Sequence, residues 1–216
     1  MRRLPKNDDT ITAAVITGEH LFDVPGFQAA FRSMADVDVY PQSLENFVAD
    51  RGGVRHAYDV LVFYNFHRPA PDERTAAALE SLGESAQGIV VLHHAILAFP
   101  EWPRWSEICG IDERTFGYHM NQRVPVHVAD PAHPITAGLT DWELPDETYT
   151  MGSADKGSRV LLTTDHALSM RTLAWTRRFG KSRVFCFQSG HDNDAYADPG
   201  FRTVLHRGIR WAAGAL

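Results

Sequence analysis

The first half of the chain alternates short apolar runs with amphipathic segments, and this alternation restricts the fold more than any other feature. The apolar runs, rich in β-branched residues, cover residues 11–17, 37–40, 59–66 and 88–92. The amphipathic segments between them cover residues 25–35, 43–50 and 71–82. Strands that alternate with helices predict a doubly wound α/β sheet. The nearly unbroken apolar run 59–66 indicates a strand buried on both faces, as parallel sheets require.

The second half of the chain has a different pattern, because strand-like segments follow one another with little helix between them. These segments cover residues 124–128, 142–151, 160–164, 172–179 and 183–188. We expect them to add antiparallel strands to the sheet. The basic stretch from Arg177 to Arg183 contains Gly180 between two apolar runs, which predicts a hairpin with a solvated tip. An amphipathic helix over residues 199–213 is expected to close the chain and pack on the sheet.

The length and composition are those of an ordinary globular domain. The 216 residues include 44% hydrophobic and 22% charged side chains, which is typical of globular proteins. We expect one domain over residues 1–216, with residues 1–10 as a loosely ordered N-terminal extension. The net charge of −6 repels a phosphate backbone, so nucleic acid is not an expected partner.

Further features of the sequence bear on compartment and assembly. The N-terminus lacks the apolar core of a signal peptide, and no segment has the length of a membrane span. Cys109 and Cys186 form neither a metal-binding spacing nor a disulfide framework. These features predict a cytoplasmic protein with no membrane partner. Trp142 and Trp175 lie outside the main α/β pattern and could belong either to a homodimer interface or to the core.

Three of the apolar runs end at histidine. His20 follows the first run, His93 and His94 follow the run 88–92, and His191 follows the last predicted strand. The carboxyl ends of parallel strands lie at one edge of a sheet, where open α/β folds bind ligands. The sequence therefore predicts a polar functional site at this edge, used for metal binding or proton transfer.

The imidazoles at this edge are candidate ligands for a divalent metal ion such as Zn²⁺. The candidate ligands are His20, either His93 or His94, and His191, since three protein ligands and an open position are typical of catalytic sites. The candidate catalytic residues beside them are His93, Asp192 and Glu19. Alternation along an extended chain turns one of the two adjacent histidines away, so at most one is expected to face the site. The alternative for each histidine is a hydrogen-bonded turn residue.

A substrate pocket at this edge would use aromatic and amide side chains. The candidate substrate-binding residues are Phe22, Trp102, Tyr196 and Asn65. Aromatic rings can pack on the C–H faces of a sugar, although large aromatic residues are more often part of the core. No glycine-rich phosphate-binding motif follows the first strand, so we expect no nucleotide cofactor.

Four separated segments carry a resemblance to a known family. They are VITGEH (15–20), GIVVLHHA (88–95), DPAHPITAGL (130–139) and FQSGHD (187–192). In this order they resemble the ThuA-like (trehalose utilisation) family, and the resemblance extends from about residue 11 to residue 213. It implies a flavodoxin-like α/β sandwich of three layers, as in the class I glutamine amidotransferase-like superfamily. Where the family often has glycine in the first turn, this chain has Glu19.

The resemblance does not imply amidotransferase activity, because the elbow after the fourth strand carries His93 and His94 instead of a cysteine nucleophile. It implies a role in the use of trehalose and related disaccharides, alongside an NAD-dependent sugar dehydrogenase that forms a 3-keto sugar. Our hypothesis is an enzyme that acts on a 3-keto-disaccharide or similar glycoside, with a metal ion on His20, His94 and His191 to stabilise negative charge. The C3 ketone acidifies the C2 proton and makes elimination of the C1 substituent feasible, with His93 or Asp192 as the base.

Two alternatives are open at this point. The chain could be a non-catalytic carbohydrate-binding or regulatory module that keeps the amidotransferase-like scaffold. It could also be a hydrolase or deglycase with Cys186 as the nucleophile. The flanking Phe185 and Phe187 argue against this second alternative, because they indicate a buried strand and therefore an unreactive thiol.

Overall fold

The computed structural model describes residues 10–216, so the predicted N-terminal extension lies outside the described residues except for Thr10. The strands in this part of the chain are β1 (Ile11–Gly18), β2 (Val37–Ser43), β3 (Val60–Asn65), β4 (Gly88–Leu92), β5 (Gly117–Val128), β6 (Trp142–Thr150), β7 (Arg159–Thr163), β8 (Thr172–Phe179) and β9 (Ser182–Phe187). The α-helices are α1 (Val24–Arg32), α2 (Leu44–Ala49), α3 (Glu73–Glu80), α4 (Pro103–Cys109), α5 (Asn193–Ala197) and α6 (Pro199–Ala212). The strands form a sheet in the order β2-β1-β3-β4-β9-β8-β7-β5-β6.

The first five strands in this order are parallel. β1 pairs with β2 on one side and with β3 on the other, and β4 pairs with β3 and β9. The strand order reverses direction at β1, so the crevice at the carboxyl ends of β1 and β3 is a topological switch point. Open α/β sheets bind their ligands at such points. In this pair, Gly18 lies opposite Asn65.

The other four strands continue the sheet in antiparallel fashion, as the sequence predicts. β8 and β9 form the predicted hairpin, with Phe179 opposite Ser182. Gly180 at its tip has a φ of 55°, a left-handed conformation that suits glycine. β5 pairs with β7 only near its end, through His127 and Val128, and pairs with β6 over most of its length. Most of the β5–β6 ribbon is therefore free of β7.

Helices cover both faces of the sheet and produce three layers. On one face, α1, α5 and α6 pack over a core that includes Val15 and Phe187. On the other face, α2, α3 and α4 pack over a core that includes Ile16 and Phe63. Neighbouring residues of β1 reach opposite cores because side chains alternate along a strand. Each large apolar side chain that is fully buried in these cores contributes about 1.5–3 kcal/mol. The predicted α/β sandwich, parallel in its first half with antiparallel additions, is confirmed.

Some element boundaries differ from the sequence-based expectations. β2 continues through Pro41 to Ser43, because it is an edge strand where the nitrogen of proline can face away from its one neighbour. β5 begins at Gly117, before the predicted residue 124. Its first half is exposed and polar and therefore lacks the apolar pattern from which a strand is predicted. α4 and α5 span seven and five residues and are too short to show a helical pattern. No helix within residues 10–216 combines the length and apolar character that crossing a membrane requires.

Candidate functional site

His93 is the first residue after β4 and has an unusual backbone conformation. Its φ of 51° is left-handed, which in a non-glycine residue costs on the order of 1–3 kcal/mol and is concentrated at functional sites. The side chain is fully buried. Its Nδ1 donates a hydrogen bond to the carbonyl oxygen of Gln188 at 2.7 Å, because a carbonyl oxygen only accepts. In the neutral imidazole, the lone pair is therefore on Nε2 and is available as a ligand.

Three ligand atoms gather at this nitrogen, and we name His93, Glu147 and His191 the His–Glu–His cluster. Oε2 of Glu147 lies 3.3 Å from Nε2 of His93 and 2.6 Å from Nδ1 of His191. The two nitrogens are 3.2 Å apart, and the three candidate ligand atoms all lie within 4.8 Å of one another. The hydroxyl of Tyr149 lies 2.8 Å from Nε2 of His93. Segments after β4 and β9 and the strand β6 thus meet at one point.

The charges in the cluster stabilise one another. Burial would raise the pKa of Glu147, but hydrogen bonds from His191 and His93, with the charges of these imidazoles, outweigh burial and lower the pKa to about 2. The hydrogen bond to Glu147 is the main reason that the pKa of His191 is raised, against the opposing effect of burial. The carboxylate is therefore ionised, and it holds a proton on His191. A divalent cation would displace that proton.

Asp146 on β6 fixes the loop that carries His191. Its carboxylate accepts hydrogen bonds from the backbone N–H groups of Gly190 at 2.8 Å and His191 at 3.0 Å. Burial raises the pKa of Asp146, and the charge of His93 and the backbone donors oppose that rise. Gly190 has a φ of 118°, and a Cβ atom there would lie 2.9 Å from the ring of Phe201. Glycine is required at this position for the loop to pass so close to the helix.

Two buried tyrosines support the same loop from the other side. The hydroxyl groups of Tyr64 and Tyr196 lie 2.6 Å apart. They lie 2.9 Å and 3.0 Å from the carbonyl oxygens of Gly190 and His191, respectively. Burial raises the pKa of both phenols, so each hydroxyl stays neutral and keeps its proton to donate.

His20 and His94 form a stacked pair beside the cluster, with ring centroids 4.2 Å apart. The ring of His20 also lies 5.8 Å from that of His191. Nε2 of His94 donates to the carbonyl oxygen of Tyr64 at 3.1 Å, so its lone pair is on Nδ1. The Nδ1 atoms of both stacked rings are buried and have no partner among the described residues. Burial lowers the pKa of both imidazoles and nearby histidines lower it further, so both are neutral at about pH 7.

The donor atoms of the cluster fit a divalent metal ion. Two imidazole nitrogens and one carboxylate oxygen, with an open position, are the ligand set of many catalytic zinc sites. The bond from Nδ1 of His93 to a backbone carbonyl is the kind of contact that orients a metal-bound imidazole. Unpartnered buried nitrogens, as on His20 and His94, cost free energy in the absence of a ligand. Together these features are those of a site that a metal ion and a polar substrate would complete.

Most of the chain matches the model of a known protein family. The model for ThuA, described as trehalose utilisation, matches residues 31–212. The chain belongs to the ThuA family. The match confirms the resemblance seen in the sequence segments, and the matched range of this ThuA chain contains the whole His–Glu–His cluster but not His20. No curated protein matches the sequence.

Solved structures share the fold of this ThuA chain. A ThuA-like protein of Parabacteroides merdae ATCC 43184 is 22% identical, with a TM-score of 0.76, over 94% of this chain and 90% of that one. A ThuA-like protein of Bacteroides uniformis ATCC 8492 is 18% identical, with a TM-score of 0.72, over 98% and 95%. A Thermoplasma acidophilum protein described as part of a GMP synthase is 12% identical, with a TM-score of 0.55, over 95% of each chain. These similarities support the predicted flavodoxin-like, amidotransferase-like fold.

The predicted metal ligands of this ThuA chain lie near one another but in two groups. His191 belongs to the His–Glu–His cluster, whereas His20 and His94 form the stacked pair. His93, predicted as a catalytic residue, contributes its Nε2 atom to the cluster. Both adjacent histidines are buried at the site, although strand alternation predicts only one there. That expectation is wrong because His93 begins a 3-10 helix, in which side chains do not alternate between two faces.

The other predicted polar residues of the ThuA chain have separate positions. Glu19 is exposed, with a φ of 60°. Asp192 caps α5, because its side chain accepts hydrogen bonds from the backbone N–H groups of Asp194 and Ala195. Among the described residues, neither carboxylate forms a hydrogen bond with an imidazole. Asn65 is fully buried at the end of β3, and its Oδ1 atom has no described partner.

The predicted aromatic residues of the ThuA chain mostly pack within the protein. The ring of Phe22 lies edge-on to that of Tyr64, with centroids 5.3 Å apart. Trp102 precedes α4 and packs edge-on against Phe99 at 5.9 Å. Tyr196 is buried and takes part in positioning the loop of His191. Their roles in substrate binding stay predictions.

Sequence reasoning missed Glu147 and Tyr149, which both come from β6. Side chains two residues apart lie on the same face of a strand, so these two reach His93 together. Both are buried. The sequence did contain one signal, the adjacent carboxylates Asp146 and Glu147 inside a predicted strand. One of two neighbouring residues in such a strand faces the interior, and a buried carboxylate is rare unless it is paired.

Proposed function

We propose that this ThuA-family protein is a metal-dependent enzyme that acts on a 3-keto-disaccharide or a related glycoside. The observation that carries the proposal is the His–Glu–His cluster, whose three ligand atoms lie within 4.8 Å of one another. It lies at the carboxyl edge of the parallel strands, where folds of this class bind substrates. Membership of a family described as trehalose utilisation supports the choice of a disaccharide as substrate.

A divalent ion such as Zn²⁺ on His93, Glu147 and His191 would supply Lewis-acid stabilisation of negative charge on a sugar oxygen. The chain itself would move the proton. His94 is buried and neutral with an unpartnered Nδ1 lone pair, and His20 is stacked on it. We assign the base to this pair, because Nε2 of His93 is directed at the cluster and Asp192 caps a helix.

The reaction that fits these groups is an elimination next to a ketone. The base takes the proton from C2, which the C3 ketone acidifies. The electron pair of that C–H bond forms the C1–C2 double bond as the bond from C1 to the leaving oxygen breaks. The leaving oxygen then takes a proton from the imidazolium formed in the first step. A neutral imidazole of lowered pKa suits the first step because it is unprotonated at neutral pH.

The proposed substrate implies a partner reaction. A 3-keto sugar arises when a sugar hydroxyl at C3 is oxidised, and a nicotinamide cofactor is the natural hydride acceptor. We therefore propose a functional link to an NAD-dependent sugar dehydrogenase, and a cytoplasmic location for both proteins.

Metal analysis and turnover with one matched pair of variants test the proposal. Glu147 and Glu143 both lie on β6, but Glu143 is exposed and pairs with Arg123. We expect the purified protein to bind about one divalent ion per chain and to consume 3-keto-trehalose but not trehalose. Glu147→Gln should weaken metal binding by at least about tenfold and remove turnover, while Glu143→Gln should change neither.

The opposite result would overturn the proposal. If the protein takes up no divalent ion, and Glu147→Gln leaves its turnover of keto sugars unchanged, the metal-dependent enzyme is wrong. Binding of a disaccharide without any turnover would instead favour a non-catalytic carbohydrate-binding module.

A further inference from the structure

Arg68 lies three residues after the end of β3, at the switch-point edge of the sheet, and its guanidinium group is held in place. Its Cζ atom lies 5.3 Å from the ring centroid of Phe66 and 5.3 Å from that of Phe116. Nη1 donates to the carbonyl oxygen of Leu97 at 2.7 Å. The residue is nevertheless exposed. The structure thus fixes a cation at the surface, with the rest of its donor fork facing solvent.

The two rings that hold Arg68 also border the candidate site. Phe66 lies edge-on to His20 and to His94, with centroids 5.7 Å apart in both cases. Phe116 lies 5.7 Å from Tyr149, whose hydroxyl contacts His93. Only one layer of aromatic rings therefore separates Arg68 from the imidazoles. A substrate that spans the ring of Phe66 would contact both the histidines and Arg68.

A second arginine lies in the same region. Arg114 is buried and donates to the backbone carbonyl oxygens of the loop from residue 96 to residue 102, and to Ser106. Burial lowers the pKa of Arg114, and the charge of Arg68 lowers it further, partly offset by Cys109 and Glu101. The two cations are thus close enough to repel each other.

No carboxylate balances these charges directly. Among residues 10–216, no aspartate or glutamate lies within ion-pair distance of either guanidinium group. Elsewhere in the chain, arginines do pair with carboxylates, such as Arg104 with Glu107 and Arg177 with Asp155. Although Glu101 partly offsets the charge of Arg114 and the net charge of the chain is −6, neither guanidinium group has a carboxylate as an ion-pair partner in this part of the chain. The field of the two cations favours an anion near the open donors of Arg68.

We propose that Arg68 recognises an anionic group on the sugar substrate, a carboxylate or a phosphate. The guanidinium fork matches both groups because it can donate two parallel hydrogen bonds. The polyol end of the substrate would then face the histidines, and its charged end would face Arg68. This inference rests on the proposed function for the position of the sugar, and among the related glycosides it favours those that carry a carboxylate or a phosphate over neutral ones.

Binding measurements on metal-free protein test the inference. The probes are D-gluconate, glucose 6-phosphate and neutral glucose, measured by isothermal titration calorimetry. We expect at least one of the two anionic probes to bind about tenfold or more tightly than glucose, the difference that one charged pair of hydrogen bonds produces. Arg68→Gln should remove that difference. Arg104→Gln is the matched control, because Arg104 also lies over an aromatic ring but belongs to another surface, and it should have no effect.

The outcomes distinguish a sugar acid from a sugar phosphate, and they distinguish this inference from the proposed function. Tight binding of gluconate alone identifies a sugar acid, and tight binding of glucose 6-phosphate alone identifies a sugar phosphate. Equal binding of all three probes, or a preference that survives in Arg68→Gln, overturns the inference. If Arg68→Gln does not fold by circular dichroism, Arg68→Lys keeps the charge without the fork and should reduce the preference several-fold. Because these measurements use metal-free protein, they do not depend on the metal site. A lack of preference for anions would therefore leave the proposed metal-dependent function untouched, and a lack of metal binding would leave the measured preference for anions untouched.

Discussion

Nε2 of His93 lies 3.3 Å from Oε2 of Glu147, although four other strands lie between β4 and β6 in the sheet order. The contact forms because residues of β6 approach the carboxyl ends of β4 and β9. The side chain of Gln188, just after β9, donates to the carbonyl oxygen of Glu147 at 3.0 Å, and Asp146 binds the following loop. The site therefore needs both halves of the sheet, because His93 and His191 follow parallel strands and Glu147 lies on an antiparallel one.

The affinity of the cluster for a metal ion should rise with pH. Without metal, Glu147 holds a proton on His191 and raises the pKa of that imidazole. The cation needs the Nδ1 lone pair, so a proton must leave before it binds. Below the pKa of His191, each unit of falling pH should weaken Zn²⁺ binding about tenfold, and above it the affinity should level off. Calorimetric Zn²⁺ titrations across this pH range measure the slope, and a slope of zero would contradict direct ligation by His191.

Asp146→Asn should loosen the loop of His191 without removing any ligand. An amide has only one acceptor oxygen, so at least one of the backbone N–H groups of Gly190 and His191 loses its partner. We expect a loss of about 1–3 kcal/mol in the free energy of unfolding, with weaker metal binding. Denaturant unfolding and metal titration check both effects.

Asp192→Asn is the control for this change, and it also tests one candidate base. Asparagine caps helices about as well as aspartate, so stability should change little. Turnover should also survive, because the assigned base is the stacked pair of His20 and His94. Loss of turnover with normal stability would return the role of base to Asp192.

The fold was predictable from the sequence because its signals are local. The run 59–66 is apolar at nearly every position, and all six residues of β3 are buried. The three histidine-terminated runs likewise place their imidazoles at one edge, since parallel strands share a direction. Glu147 was not predictable in this way. It reaches the site from a ribbon that leaves the sheet, and the exposed first half of β5 gives no apolar pattern that reveals that ribbon.

Cys186 should be unreactive in the folded protein. Its side chain is fully buried and donates to the carbonyl oxygen of Cys109 at 3.7 Å, and burial raises the pKa of the thiol well above its ordinary value. A thiolate is the reactive form, so labelling requires unfolding. Labelling by a thiol reagent should be slow in native protein and fast in denaturant. Fast native labelling of Cys186 would revive the cysteine hydrolase alternative.

The hydroxyl groups of Tyr64 and Tyr196 should stabilise the protein as a coupled pair. They lie 2.6 Å apart and reach the carbonyl oxygens of the His191 loop. Each single change to phenylalanine leaves the other buried hydroxyl with one partner fewer, which costs about 1–3 kcal/mol. The double variant removes both hydroxyls together, so its loss should be smaller than the sum of the two single losses. Denaturant unfolding of the four proteins measures this coupling, and strict additivity would show that the two hydroxyls act independently on the loop.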